Sequence, residues 1–130
     1  MEKFLYFRTS ATLANDDDAA GSVTYPLSKL QGIVAGDVAT TGVITESDVA
    51  LSLAFAPMMV QFGGGSDTQV VDVVVLTCAT NKAKDVQRAI VQAINGGPHS
   101  DGFITIFDAV TGVTVDSNLT AIHTVDMNVN

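Results

Sequence analysis

A strand followed directly by a helix, over residues 70–98, constrains the fold of this chain more than any other segment. Residues 70–77 are rich in valine and predict a buried β-strand. Thr80 and Asn81 then predict a helix N-cap. The apolar side chains that follow recur at helical spacing: Val86, Ile90, Ala93 and Ile94. Because Asn95-Gly96-Gly97-Pro98 ends such a pattern, we expect one helix over about residues 81–95.

The rest of the chain predicts short strands separated by turns. Residues 49–55 alternate most clearly, with Val49, Leu51, Leu53 and Phe55 on one face. The Thr111-Gly112 turn predicts a hairpin between residues 103–107 and 113–115. Further extended segments are predicted at residues 4–8, 22–25, 29–34 and 122–129.

These elements predict a single domain over residues 1–130, mostly β in an α+β arrangement. We expect an antiparallel sheet that forms a small barrel or a sandwich, with the helix covering an end or a face. Residues 4–8 are apolar on both faces, which predicts cover on both. Strand alternation is the same in a barrel and a sandwich, so the sequence leaves these two open.

The last strand, residues 122–129, is the candidate sheet edge. Strict alternation would place His123, Val125, Met127 and Val129 on one face. The other face would then carry Ile122, Thr124, Asp126 and Asn128, which is typical of a half-exposed position. If this edge holds copies together, deletion of residues 122–130 is expected to dissociate or unfold the assembly.

Composition favours association between copies. Hydrophobic residues make up 47% of the chain and charged residues only 15%, below the usual quarter. A surface with so few charges is often buried against a partner. The sequence therefore predicts a homo-oligomer, and the alternative is a monomer with a surface rich in Thr, Ser and Asn.

The charge balance argues against direct binding of nucleic acid. The net charge is −8, from 14 acidic and 6 basic residues, whereas phosphate backbones attract clustered Lys and Arg. Three of the basic residues, Lys82, Lys84 and Arg88, lie on the predicted helix, where a solvated face is the usual explanation.

The sequence predicts a soluble protein of the cytoplasm. The apolar run at its start, residues 4–7, is too short for a signal peptide. No window approaches the roughly 20 apolar residues of a membrane span. Cys78 is the only cysteine, so neither an intrachain disulfide nor a multi-thiolate metal site can form, and we expect it to pack as a small hydrophobe.

The acidic run Asn15-Asp16-Asp17-Asp18 is the obvious candidate for a cation site. Asp16 and Asp18 fit the first two ligand positions of a calcium loop, and Gly21 fits its turn. However, Ala20 and Leu27 occupy positions that require oxygen ligands. A solvated turn is the better interpretation, and no metal site is predicted.

The remaining motifs carry no chemistry that we can assign. Gly63-Gly64-Gly65-Ser66 lacks the Lys-Ser/Thr ending of a phosphate loop and precedes a strand. His99, Ser100 and Asp101 are adjacent in one loop, which does not allow the geometry of a catalytic triad. His123 is expected to fill or flank the core. The sequence therefore predicts no enzyme, no cofactor and no catalytic residue.

Several segments together resemble small, uncharacterised proteins of tailed marine cyanophages and of ocean environmental sequences. They are the opening residues 4–8, the acidic residues 16–18, residues 25–33, and the Val-rich strand with the helix start at 81–86. The resemblance implies a role in the virion or its assembly, as a ring or lattice of small β-rich domains, with other virion proteins as partners. It carries no catalytic residue to this chain.

Two functions follow from these observations. The first is a structural or accessory protein that forms a symmetric homo-oligomer through unpaired sheet edges. The alternative is a monomeric β-barrel module that binds a small ligand. In that case Met58 and Met59 would line an adaptable pocket, and the acidic residues 16–18 would lie at its rim.

Overall fold

The computed structural model describes residues 3–9, 21–36, 49–57, 71–96 and 102–129. They form eight β-strands and one α-helix, with a short 3-10 helix at Leu27–Lys29. The first five strands are β1 (Phe4–Arg8), β2 (Ser22–Pro26), β3 (Leu30–Ala35), β4 (Ala50–Phe55) and β5 (Val71–Cys78). The helix α1 (Ala83–Asn95) follows, and then β6 (Phe103–Asp108), β7 (Val113–Thr114) and β8 (Leu119–Val129).

The strands form two four-stranded sheets. The first sheet has the order β2-β1-β6-β7, and the second sheet has the order β3-β4-β5-β8. Neighbouring strands are antiparallel except for β1 and β6, which run parallel. Between β5 and β6 the chain leaves the second sheet, passes through α1 and enters the first sheet beside β1.

One hydrophobic core lies between the inner faces of the two sheets and the buried face of α1. Phe55 of β4 is at its centre: its ring stacks on Tyr25 with the ring centroids 4.3 Å apart, and it meets the edge of Phe7 at 6.1 Å. Tyr25 and Phe7 belong to the first sheet, so these aromatic contacts join the two sheets.

The predicted helix is confirmed, although it begins later than its capping signal indicated. Val86 and Ile90 are fully buried, and Ala93 and Ile94 pack against the same core. Lys82 occupies the N-cap position without a side-chain hydrogen bond. The expected cap at Thr80 and Asn81 is therefore wrong, because Asn81 adopts a left-handed backbone conformation, with φ of 62°, that turns the chain into the helix.

The other end of α1 is fixed by a contact from the start of the chain. The Lys3 ammonium group donates a hydrogen bond to the carbonyl of Ile94, in the last turn of the helix. A cation is favourable there because the carbonyl groups at a helix C-terminus carry partial negative charge. This contact joins the helix to the segment that leads into β1.

The predicted fold class is confirmed: the described chain is mostly β, with one helix, and its two packed sheets form a sandwich rather than a closed barrel. The 103–115 hairpin is also confirmed, as β6 and β7. The prediction that residues 4–8 are covered on both faces is wrong at Phe4, which is 37% exposed. Phe4 lies on the outer face of the first sheet, beside Phe103, which is also exposed.

Candidate functional site

The edge of the second sheet at β8 is the candidate functional site. This strand pairs with β5 along one side, and no other strand in the described part of the chain pairs with its other side. The expectation that the last strand lies at a sheet edge is thus confirmed. An edge strand presents backbone N–H and C=O groups that can pair with another chain.

Three register shifts interrupt the pairing of β8 with β5, and the longest regular stretch lies between two of them. Thr124, Val125 and Asp126 lie opposite Val75, Val74 and Val73 of β5 without interruption. On one side the register shifts between the pairs of Val75 and Leu76, and on the other between those of Val71 and Val73. Bulges of this kind bend an edge strand, so the regular stretch is the part that best suits pairing with another strand.

The register shift between the pairs of Val75 and Leu76 changes which side chains of β8 face the core. Ile122 is 8% exposed and belongs to the core, as does the partly buried Val125, whereas His123 is exposed. The alternation expected from the sequence, with His123 and Val125 on one face, is therefore wrong. Because the shift inserts one extra residue at His123, the inward positions are three residues apart instead of two.

Thr124 and Asp126 lie on the outer face of the second sheet, which faces away from the first sheet. Their cross-strand neighbours Val75 and Val73 form a small hydrophobic cluster separate from the main core, and both are fully buried. Ser52, next to Val75 on β4, is also fully buried and donates a 2.6 Å hydrogen bond to the carbonyl of Gly36.

Within the described ranges, two oxygen atoms on this face are buried and have no hydrogen-bond partner. They are Oγ1 of Thr124 and Oδ2 of Asp126, whereas both residues as a whole keep part of their surface exposed. A buried polar atom without a partner is destabilising by about 1–3 kcal/mol, and more for a charged group. Such atoms are uncommon in folded proteins, and these two lie on an edge strand.

A second polar pair lies inside the core. The Tyr25 hydroxyl donates a 2.8 Å hydrogen bond to Oδ2 of Asp72, and both side chains are at most 1% exposed. Burial, reinforced by the hydrogen bond and the negative charge of Asp72, raises the pKa of Tyr25 above its usual range. The pair joins β2 to β5 and so connects the two sheets.

Most candidate positions from the sequence lie outside the described residues. These are the acidic residues 15–18, Met58, Met59, the glycine run 63–66, and residues 99–101. Cys78 is a buried thiol outside any disulfide and packs in the core, as expected. The expectation that His123 fills or flanks the core is wrong, because this residue is exposed on β8.

The basic residues of α1 lie on its solvated face, as expected. Lys82, Lys84 and Arg88 are all exposed. Lys82 forms an ion pair with Asp85 at 3.9 Å, and about half of each side chain is exposed to solvent. An exposed pair at this distance contributes little to stability.

The sequence predicted neither the Tyr25–Asp72 hydrogen bond nor the unpartnered oxygens of Thr124 and Asp126. Asp72 interrupts a run of valines, and an acidic residue within a buried strand is itself a signal that a hydrogen-bonding partner lies nearby. Thr124 and Asp126 were placed on the same, half-exposed face, which agrees with the structure. Their burial without partners depends on long-range packing and has no local signal.

The described residues include no group of three or more His, Cys, Asp or Glu side chains that could hold a metal ion. Within the same ranges, no helix has the length and apolar character needed to cross a membrane.

No family model, no curated protein and no solved structure matches this chain.

Proposed function

We propose that the chain is a non-enzymatic structural or accessory protein that self-assembles into a symmetric homo-oligomer through the β8 edge. The observation that carries this proposal is a pair of buried oxygens on β8, Oγ1 of Thr124 and Oδ2 of Asp126, for which the described part of the chain supplies no hydrogen-bond partner. A second copy paired along this edge brings polar groups next to both side chains and to the backbone of the edge strand.

Composition supports the same proposal. Charged residues are 15% of the chain, and several large apolar side chains are exposed in the described structure. They are Phe4, Val49, Val91, Phe103, Val110 and Val113. Apolar surface that contacts water in one copy is buried when copies associate, and this burial is favourable.

The proposal that the protein is not an enzyme is supported by the scarcity of residue types that catalysis needs and by the burial of the Tyr25–Asp72 pair. Tyr25 and Asp72 have the chemistry of an acid and a base, but their side chains are sealed from solvent and hydrogen-bonded across the sheets. A group that a substrate cannot reach serves to position the sheets rather than to transfer protons.

The biological setting is a further part of the proposal. The resemblance of residues 4–8, 25–33 and 81–86 to cyanophage proteins favours a virion or assembly component, made in the host cytoplasm and in contact with other virion proteins. The net charge of −8 favours protein partners over nucleic acid.

The proposal is tested by blocking one edge of the second sheet at a time. Thr124→Glu adds a second negative charge beside Asp126 in the regular stretch of β8, and like charges across paired strands, as well as charged side chains on edge strands, oppose pairing. Gln31→Glu is the control on the other edge, because Gln31 is exposed on β3, the opposite edge of the same sheet. Sedimentation velocity measures the assembly, and circular dichroism establishes that each variant is folded.

We expect Thr124→Glu to dissociate the assembly and Gln31→Glu to leave it intact. If the folded Thr124→Glu variant keeps the wild-type mass, β8 is not the association edge. A wild-type chain that is monomeric in these experiments would contradict self-assembly and favour the alternative of a monomeric ligand-binding module.

A further inference from the structure

The spacing of the two unpartnered oxygens defines how a second copy fits. Thr124 and Asp126 are two residues apart on the same face of β8, with Val125 between them. In an antiparallel pair, residues directly opposite each other point to the same face of the sheet. A two-fold axis at Val125 therefore places Thr124 of each copy opposite Asp126 of the other.

We propose that two copies pair through β8 in this register, so that the Thr124 hydroxyl of each copy donates a hydrogen bond to the Asp126 carboxylate of the other. This inference rests on the proposed function, since it specifies the contact through which the chain self-assembles. The occupant of the edge is a second copy of this chain.

The chemistry of the two groups supports a second copy over an unrelated strand. A hydroxyl donates one hydrogen bond and an ionised carboxylate only accepts, so the two groups are complementary. Each is the missing partner of the other, and a two-fold axis forms the bond twice. Both oxygens are buried in the single chain, so the contact requires the two side chains to rotate about χ1 between staggered positions. Both residues keep part of their surface exposed, which places them where a second copy can meet them.

The position along the strand supports the same register. Thr124, Val125 and Asp126 are the stretch of β8 that pairs with β5 without a shift. A pairing centred on Val125 uses this regular stretch in both copies. A pairing centred on His123 would instead place the register shift of both copies in the middle of the new ladder.

Cysteine cross-linking tests the register. Directly opposite residues have Cβ atoms about 4.5–5.5 Å apart, which approaches the separation that a disulfide spans. Thr124→Cys and Asp126→Cys are prepared as separate chains, each with Cys78→Ala to remove the native thiol, and are then mixed and oxidised. We expect the mixture to form a covalent heterodimer, and Thr124→Cys alone to form little dimer.

A residue swap provides a second, independent test. Thr124→Asp alone places carboxylates opposite each other, and Asp126→Thr alone replaces the charged acceptor with a neutral hydroxyl, whose hydrogen bond is weaker. We expect each single variant to weaken self-association by about tenfold or more. The double variant Thr124→Asp/Asp126→Thr recreates the same pair in reverse order, so we expect it to restore association.

The outcomes distinguish a failure of this register from a failure of the proposed function. If the wild-type chain forms an oligomer but Thr124→Cys cross-links with itself, or the swap does not restore association, the register is wrong and self-assembly stands. If the wild-type chain remains monomeric, both are wrong. A selective heterodimer together with a restoring swap supports both.

Discussion

Tyr25 is the residue that connects the two sheets most directly. Its ring stacks on Phe55 of the second sheet, and its hydroxyl donates to Asp72, which lies beside Phe55 on the neighbouring strand. Stacking and hydrogen bonding together define one orientation for this side chain. This contact makes the packing of the two sheets specific. A shifted packing would leave the buried Asp72 carboxylate without the Tyr25 donor.

Replacing Tyr25 with phenylalanine tests that contact. Tyr25→Phe keeps the stacked ring and removes the donor, so we expect the free energy of unfolding to fall by about 1–3 kcal/mol. Tyr6→Phe is the control, because the Tyr6 hydroxyl is half-buried and contacts Ser22 Oγ at 3.2 Å. Urea unfolding measures both, and equal losses in the two variants would contradict a special role for the buried pair.

The raised pKa of Tyr25 predicts a dependence of stability on alkaline pH. Burial, with help from Asp72, makes the folded state hold the phenol proton more tightly than the unfolded state, whose pKa is about 10. The contribution of this proton to stability is therefore complete below about pH 10 and is lost progressively as the pH rises beyond it.

The measurement compares the free energy of unfolding of the wild-type chain and of Tyr25→Phe between about pH 8 and about pH 11. We expect the advantage of the wild-type chain to shrink over this interval. An advantage that stays constant, or that grows with pH, would show that the Tyr25 proton is not held more tightly in the folded state.

At the scale of elements, local pattern predicts the regular parts well and the irregular parts poorly. In β4, Leu51, Leu53 and Phe55 face the core as the alternation predicts, because the ladder with β5 has no shift and the shift in the ladder with β3 adds its extra residue, Gln31, to β3. Val49, expected on the same face, lies before the strand and is 40% exposed. In β8 the alternation fails at His123. A bulge is set by how two strands meet, so the sequence of one strand does not reveal it.

Two substitutions in α1 test whether its predicted apolar face is the face that stabilises the fold. Ile90→Ala removes a fully buried side chain, so we expect a loss of about 2–5 kcal/mol in the free energy of unfolding. Val91→Ala, one residue further along, truncates a side chain that is 47% exposed, and we expect a change within about 0.5 kcal/mol. Thermal or urea unfolding measures both variants. Similar losses of unfolding free energy at the two positions would contradict the assignment of Ile90 to the face that stabilises the fold.

At the scale of the whole molecule, the parallel pair of β1 and β6 lies beyond sequence reasoning. Phe4 and Phe103 are opposite each other although they lie 99 positions apart in the 130-residue chain. No local periodicity specifies such a partner. The sequence did predict that β8 is an edge, because its polar positions indicated a half-exposed strand, but the two buried oxygens emerge only once β8 lies against the valines of β5.

The net charge of −8 predicts how the assembly responds to salt. Copies of the same sign repel at long range, whereas the proposed contact consists of backbone pairing and a hydroxyl–carboxylate bond. Raising the ionic strength from about 0.01 to about 0.15 M shortens the Debye length from about 30 to about 8 Å and screens the repulsion. We therefore expect tighter self-association in sedimentation equilibrium, and weaker association on adding salt would indicate that ion pairs hold the copies together.

The solution mass of the unmodified chain is the most direct test of self-assembly. Light scattering coupled to size exclusion measures it without labels, at low and at moderate salt. We predict a discrete mass that is a whole multiple of the 13.5 kDa chain and larger than one chain. The multiple is even if β8 pairs about a two-fold axis. A single species of 13.5 kDa under both conditions would contradict the proposal that this protein acts by building an assembly from its own copies.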